Sequence, residues 1–63
     1  MTTVQADKLI KSGSTVIFST NMGDIFTGKA IKRDRTSIYI QYEWDGKMEI
    51  GVFTRSDVSV KQS

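Results

Sequence analysis

Residues 14–40 read STVIFSTNMGDIFTGKAIKRDRTSIYI, and this stretch decides the fold. Thr15-Val16-Ile17-Phe18-Ser19 reads as a strand, with Val16 and Phe18 alternating to one face. Asn21-Met22-Gly23-Asp24 is turn chemistry, because Asn and Gly tolerate positive φ. Ile25 to Lys32 forms a second strand interrupted by Gly28, and a glycine inside a strand marks a sharp bend or a close backbone approach. Asp34-Arg35-Thr36-Ser37 is the next turn.

Downstream, Ser37 to Glu43 and Lys47 to Phe53 form a hairpin, and Val58 to Lys61 a last short strand. A two-residue Asp45-Gly46 loop would set Trp44 opposite Lys47 and Tyr42 opposite Glu49, mixing apolar and charged groups on one face. A three-residue loop, Trp44-Asp45-Gly46, instead pairs Tyr42 with Met48, Ile40 with Ile50 and Ile38 with Val52. A one-residue slip reverses every side chain, so this apolar agreement selects the three-residue loop. Trp44 is then left at the loop tip, either packed on another subunit or a ligand, or folded back over its own barrel. The expected interior is Val16, Phe18, Phe26, Ala30, Ile38, Ile40, Ile50 and Val52.

Upstream, Thr2-Thr3-Val4-Gln5 fits the capping box that opens a helix, predicted over residues 3–12. Ala6, Leu9 and Ile10 share a face, Asp7 complements the helix dipole, and Gly13 takes the left-handed position after the last turn. About ten residues make a marginal helix in isolation, so it must lean on the strands.

The chain has 63 residues with no Cys, His or Pro. A single domain, 1–63, follows, with the barrel over 14–61. Disulfides and zinc are excluded, and so are the commonest general base and thiol nucleophile. No metal site, cofactor or catalytic residue is assigned. Glu43, Asp45 and Glu49 lie close together but beside Lys47 on a surface, and no phosphate-cradling glycine spacing or calcium loop exists. The expectation is a non-enzyme, with a site assembled at a symmetric pore the one catalytic arrangement left. Chains this small usually need a staple or a partner subunit, which points to self-association. Net charge is +2, weak for nucleic-acid binding by one copy but additive around a ring. No apolar run approaches the ~18 residues of a membrane span, and no charged-then-apolar leader is present. The expected protein is soluble and cytoplasmic, with no membrane partner.

A short helix followed by five bent strands is the element order of the Sm-like (Lsm/Hfq-type) family, and two motifs carry the resemblance. Leu9-Ile10-Lys11, Gly13, Val16, Phe18, Gly23-Asp24, Phe26, Gly28, Asp34, Ile38 and Ile40 resemble the first Sm motif, with the spacing of Gly23, Gly28 and Asp34 matched as a set. Val52 to Val60 is similar to the short second motif. The resemblance implies an all-β fold, a strongly bent five-stranded antiparallel open barrel behind the helix. It further implies a cyclic homo-oligomer closed through strands 47–53 and 58–61, with single-stranded RNA bound at a basic inner rim.

The rim residues it implies are Lys32, Arg33, Asp34, Arg35, Thr36 and Ser37 around the first loop, Tyr39 on the following strand, and Thr54 and Arg55 in the second loop. Asp34 matches the family's loop-bracing Asp. Arg55 matches the basic residue of the second loop in one alignment, and Thr54 takes that place in another. Thr36 stands where an aromatic or Met usually stacks on a base, and Ser37 where many members carry Asn. Ser56 replaces the Gly after the Arg, and a Lys-His pair is absent. Binding would therefore rest on the charge of Lys29, Lys32, Arg33, Arg35 and Arg55, with Tyr39 or Trp44 as a displaced platform. Two other readings remain: a monomeric Tudor- or KOW-like small barrel serving as an interaction module, and a ring that scaffolds proteins without RNA.

Overall fold

The computed structural model describes residues 1–61; Gln62 and Ser63, the end of the expected 1–63 domain, lie outside the described residues. The helix α1 (Thr3–Ser12) forms as its cap residues dictate. The Thr2 hydroxyl accepts from the Gln5 N–H at 3.1 Å, a cap worth about 1 kcal/mol. Gly13 closes the far end at φ 64° and donates to the Leu9 carbonyl at 3.1 Å. The helix is too short and too polar to cross a membrane, and no helix among the described residues could.

Five strands follow: β1 (Val16–Thr20), β2 (Ile25–Arg33), β3 (Ser37–Trp44), β4 (Lys47–Thr54) and β5 (Val58–Val60). They form one antiparallel sheet in the order β4-β3-β2-β1-β5. The 3-10 turn Arg55–Asp57 joins β4 to β5, which are opposite edges of that sheet. In a flat sheet those edges would lie ~19 Å apart, four strand spacings. The four Cα steps from Thr54 to Val58 reach at most ~14 Å even fully extended. The sheet must therefore curl until its edges approach, which makes it an open, strongly bent barrel.

The concave face carries the core. Phe18, Ala30, Ile38, Ile40 and Val58 are buried there, and Ala6 of α1 is fully buried against them. Val16 and Phe26 pack at its margin. Gly28 faces the same interior at a close approach rather than at a simple bend. A Cβ there would sit 2.5 Å from the Gln41 carbonyl oxygen and 3.0 Å from Ile40 Cγ2.

The hairpin differs from the sequence expectation. Asp45 (φ 53°) and Gly46 (φ 75°) are both left-handed, so the loop has two residues and the handedness that matches strand twist. Trp44 pairs with Lys47, Tyr42 with Glu49, Ile40 with Gly51 and Ile38 with Phe53. Ile50 and Val52, expected in the core, lie outside at 58% and 59% exposure. The register follows from Phe53, whose ring stacks on Phe26 at 5.0 Å. Gly51 leaves room for it, since a Cβ there would lie 2.7 Å from the Phe53 ring and 3.0 Å from Tyr42. Burying one aromatic ring beneath the curled sheet outweighs matching aliphatic pairs across the hairpin. Phe53, Val58 and Ala6 thus take core roles that pair matching did not assign.

Gly28→Ala is expected to destabilise the fold by about 1–3 kcal/mol, because the backbone carbonyl it meets cannot rotate away. Gly51→Ala meets a ring that can turn and should cost less. Urea midpoints of the two variants give the comparison, and equal losses would contradict it.

Candidate functional site

A bulge in β2 decides where the basic residues point. Ala30 pairs with Ile40, but Lys32, not Ile31, pairs with Tyr39, and Arg33 pairs with Ile38. The extra residue, Ile31, shifts the alternation by one. Lys32 therefore emerges on the convex face, its Nζ 4.9 Å from the centre of the Tyr39 ring, a cation–π contact. Arg33 is carried to the concave side, toward the helix.

There Arg33 meets Asp7 of α1 in a two-point ion pair, Nε to Oδ1 at 2.6 Å and Nη2 to Oδ2 at 3.2 Å. The hydrogen bond from Arg33 holds the Asp7 carboxyl below its ordinary range, and Asp7 in turn raises the Arg33 guanidinium. Asp7 was assigned by sequence to the helix dipole; it lies beyond the first turn and serves this pair instead.

Arg55 is held just as firmly. Its Nη1 donates to Thr3 Oγ1 at 2.9 Å, and its Nη2 donates to the Arg35 carbonyl. Its backbone N–H donates to the Thr36 carbonyl at 2.7 Å, and its own carbonyl accepts from the Met1 amine at 2.7 Å. Thr3 and Asp7 are four apart on α1, one stripe of the helix. That stripe receives both guanidinium groups, and this is the feature the sequence reading missed. Polar residues beside the Ala6-Leu9-Ile10 face were its available signal.

Asp34 braces its own loop. One carboxylate oxygen accepts from the Ser37 N–H at 2.8 Å and from the Thr36 N–H at 3.1 Å. These backbone bonds, Ser37 first, hold its pKa below the ordinary value. The structure thus brings the two expected loops together through the Arg55–Thr36 bond, with Ser37 paired to Thr54 beside it. Met1, Arg35, Thr36, Thr54, Arg55 and Ser56 surround a shallow depression of about 230 Å³. Arg35 is exposed, and among the described residues no hydrogen bond or ion pair holds its guanidinium. Trp44 is not part of this end; it lies across the sheet, at the hairpin end of β3. Among the described residues no group of three acidic side chains converges to hold a metal.

In comparisons with protein-family models, with curated proteins and with solved structures, nothing matches this chain.

Asp7 and Asp34 both have folded pKa values below 3.8, so their charged forms stabilise the fold above that value. That contribution is lost as pH falls through the lower folded values. Asp34→Asn should therefore lower the urea midpoint near neutrality, with the difference from wild type shrinking as pH drops below 3.8. A difference that stays constant down to roughly pH 2 would contradict the assignment.

Proposed function

We propose that this chain is a cytoplasmic, ring-forming Sm-like subunit, non-catalytic, that binds single-stranded RNA at the rim where the Asp34–Ser37 loop meets the Arg55–Asp57 turn. The observation that carries the reading is the pair of sheet edges. The outer sides of β4 and β5 have no strand partner among the described residues. Such edges invite pairing, and β4 also presents an exposed apolar row, Met48, Ile50 and Val52. Pairing β4 of one copy with β5 of the next would cover both edges and repeat the rim around an axis.

The charge available to RNA at that rim is smaller than the sequence suggests. Arg33 and Arg55 are engaged with α1, so Arg35 supplies the exposed cation beside the two loops, with Lys32 on the convex face against Tyr39. Their contribution grows with the number of copies, as counterion release scales with phosphate contacts. The same engagement favours a second reading, a ring that docks proteins without RNA.

Light scattering after size exclusion should give one discrete multiple of the 7.1 kDa chain mass at micromolar concentration. A stable monomer would overturn the ring and support a small-barrel interaction module. A fluorescent oligo-uridine should bind with strong salt dependence. Arg35→Ala should lower the slope of log K against log salt by about 0.7 for each phosphate contact removed. Absence of binding at low salt, with the ring intact, would leave the scaffold reading.

A further inference from the structure

Helix α1 holds two arginines that border the rim, and it holds them in different ways. Arg55 donates from Nη1 to Thr3 Oγ1 at 2.9 Å and from Nη2 to the Arg35 carbonyl. The second acceptor is backbone, so removing a helix side chain leaves Arg55 anchored. Arg33, the last residue of β2 and the one before Asp34, is held by side-chain atoms alone. Both oxygens of the Asp7 carboxylate accept from it, at 2.6 and 3.2 Å. Asp34 does not compete for it, because its bonded carboxylate oxygen takes the Thr36 and Ser37 N–H groups. Asp7 is therefore the one side-chain partner of Arg33 among the described residues. The pair lies at the surface, with 30% of the Arg33 side chain and 56% of the Asp7 side chain exposed.

On the reading of this rim as an RNA site, we propose that Asp7 occupies the place of an RNA phosphate on Arg33. Helix α1 thus withholds one cation per copy from the rim until a nucleic acid displaces the carboxylate. A guanidinium takes a phosphate by the same two parallel N–H bonds with which it takes a carboxylate. An ion pair this exposed is weak, because water screens it, and it gives way to a competing anion. The helix does not depend on the pair for its place. Ala6 is fully buried, Leu9 and Ile10 pack against the core, and the caps at Thr2 and Gly13 do not involve Asp7. Opening the pair frees Arg33, two residues from the exposed Arg35, without unfolding α1. By linkage, what Arg33 gives to RNA is lost to the helix.

The protein is titrated with fluorescent oligo-uridine across a salt series, as wild type and as Asp7→Asn. Asp7→Asn should bind about two- to fivefold more tightly at low salt. Its slope of log K against log salt should steepen by about 0.7 for each phosphate contact that Arg33 gains. Arg33→Ala should leave the wild-type slope unchanged and erase the gain when combined with Asp7→Asn. Asp7→Glu keeps the carboxylate and should keep the wild-type slope. Circular dichroism checks that each variant keeps its fold. A purely structural pair would lower the urea midpoint of Asp7→Asn and leave the slope alone, which overturns the proposal. So does a gain that persists without Arg33, or one that Asp24→Asn, at the other end of β2, reproduces, since either is a general effect of charge. Wild-type binding with an unchanged Asp7→Asn slope removes this proposal only. No binding by either protein at low salt removes the RNA reading and this proposal together.

Discussion

Three residues, Arg55–Asp57, carry the chain between the two edges of its sheet, and most of the structure depends on that short closure. The turn cannot span a flat sheet, so the strands curl and a concave face appears. Only a concave face can stack Phe53 of β4 on Phe26 of β2 across the intervening strand. The same turn lays the Arg55 N–H against the Thr36 carbonyl and the Asn21 N–H against the Asp57 carbonyl. Loops distant in sequence are thereby fixed to each other by backbone bonds, which do not depend on long flexible side chains.

The helix is the second fixed point. It brings Ala6 into the interior and offers Thr3 and Asp7 as acceptors to two arginines. A small domain buries too little apolar surface to spare such contacts. The consequence reaches the surface: guanidinium groups that look free in sequence are structural, and Arg35 is left exposed with no ion pair among the described residues. The hairpin end of β3 is built otherwise, with Tyr42 packed against Phe26 and Phe53 and Trp44 left exposed beyond them. One small sheet thus presents two chemically distinct ends, a property that net charge alone conceals.

The helix caps, the five strands and their order of appearance were legible in the sequence because each is written in local terms. A hydroxyl three residues before an amide, a glycine after the last helical turn and a two-residue apolar period act over a few positions. Asp34 was legible for the same reason, since the N–H donors to its carboxylate lie two and three residues onward. Lys32 and Arg33 were not separable, because a bulge at Ile31 that no local signal marks sends them to opposite faces. The hairpin register failed similarly. Pairwise matching favoured Ile50 and Val52 inside, whereas the curled sheet has room for Phe53 and for the gap at Gly51.

The sequence by itself determined the element order, the helix limits, the turns and the absence of any disulfide or histidine chemistry. Tertiary structure alone decided which face of β4 is buried, which arginines are engaged by the helix and how Phe26, Tyr42 and Phe53 pack together. The physical reason is the two-residue period of a strand: one residue more or less in a loop or bulge inverts every side chain beyond it. Local propensity is nearly indifferent to that choice, and only the packing of the closed sheet resolves it.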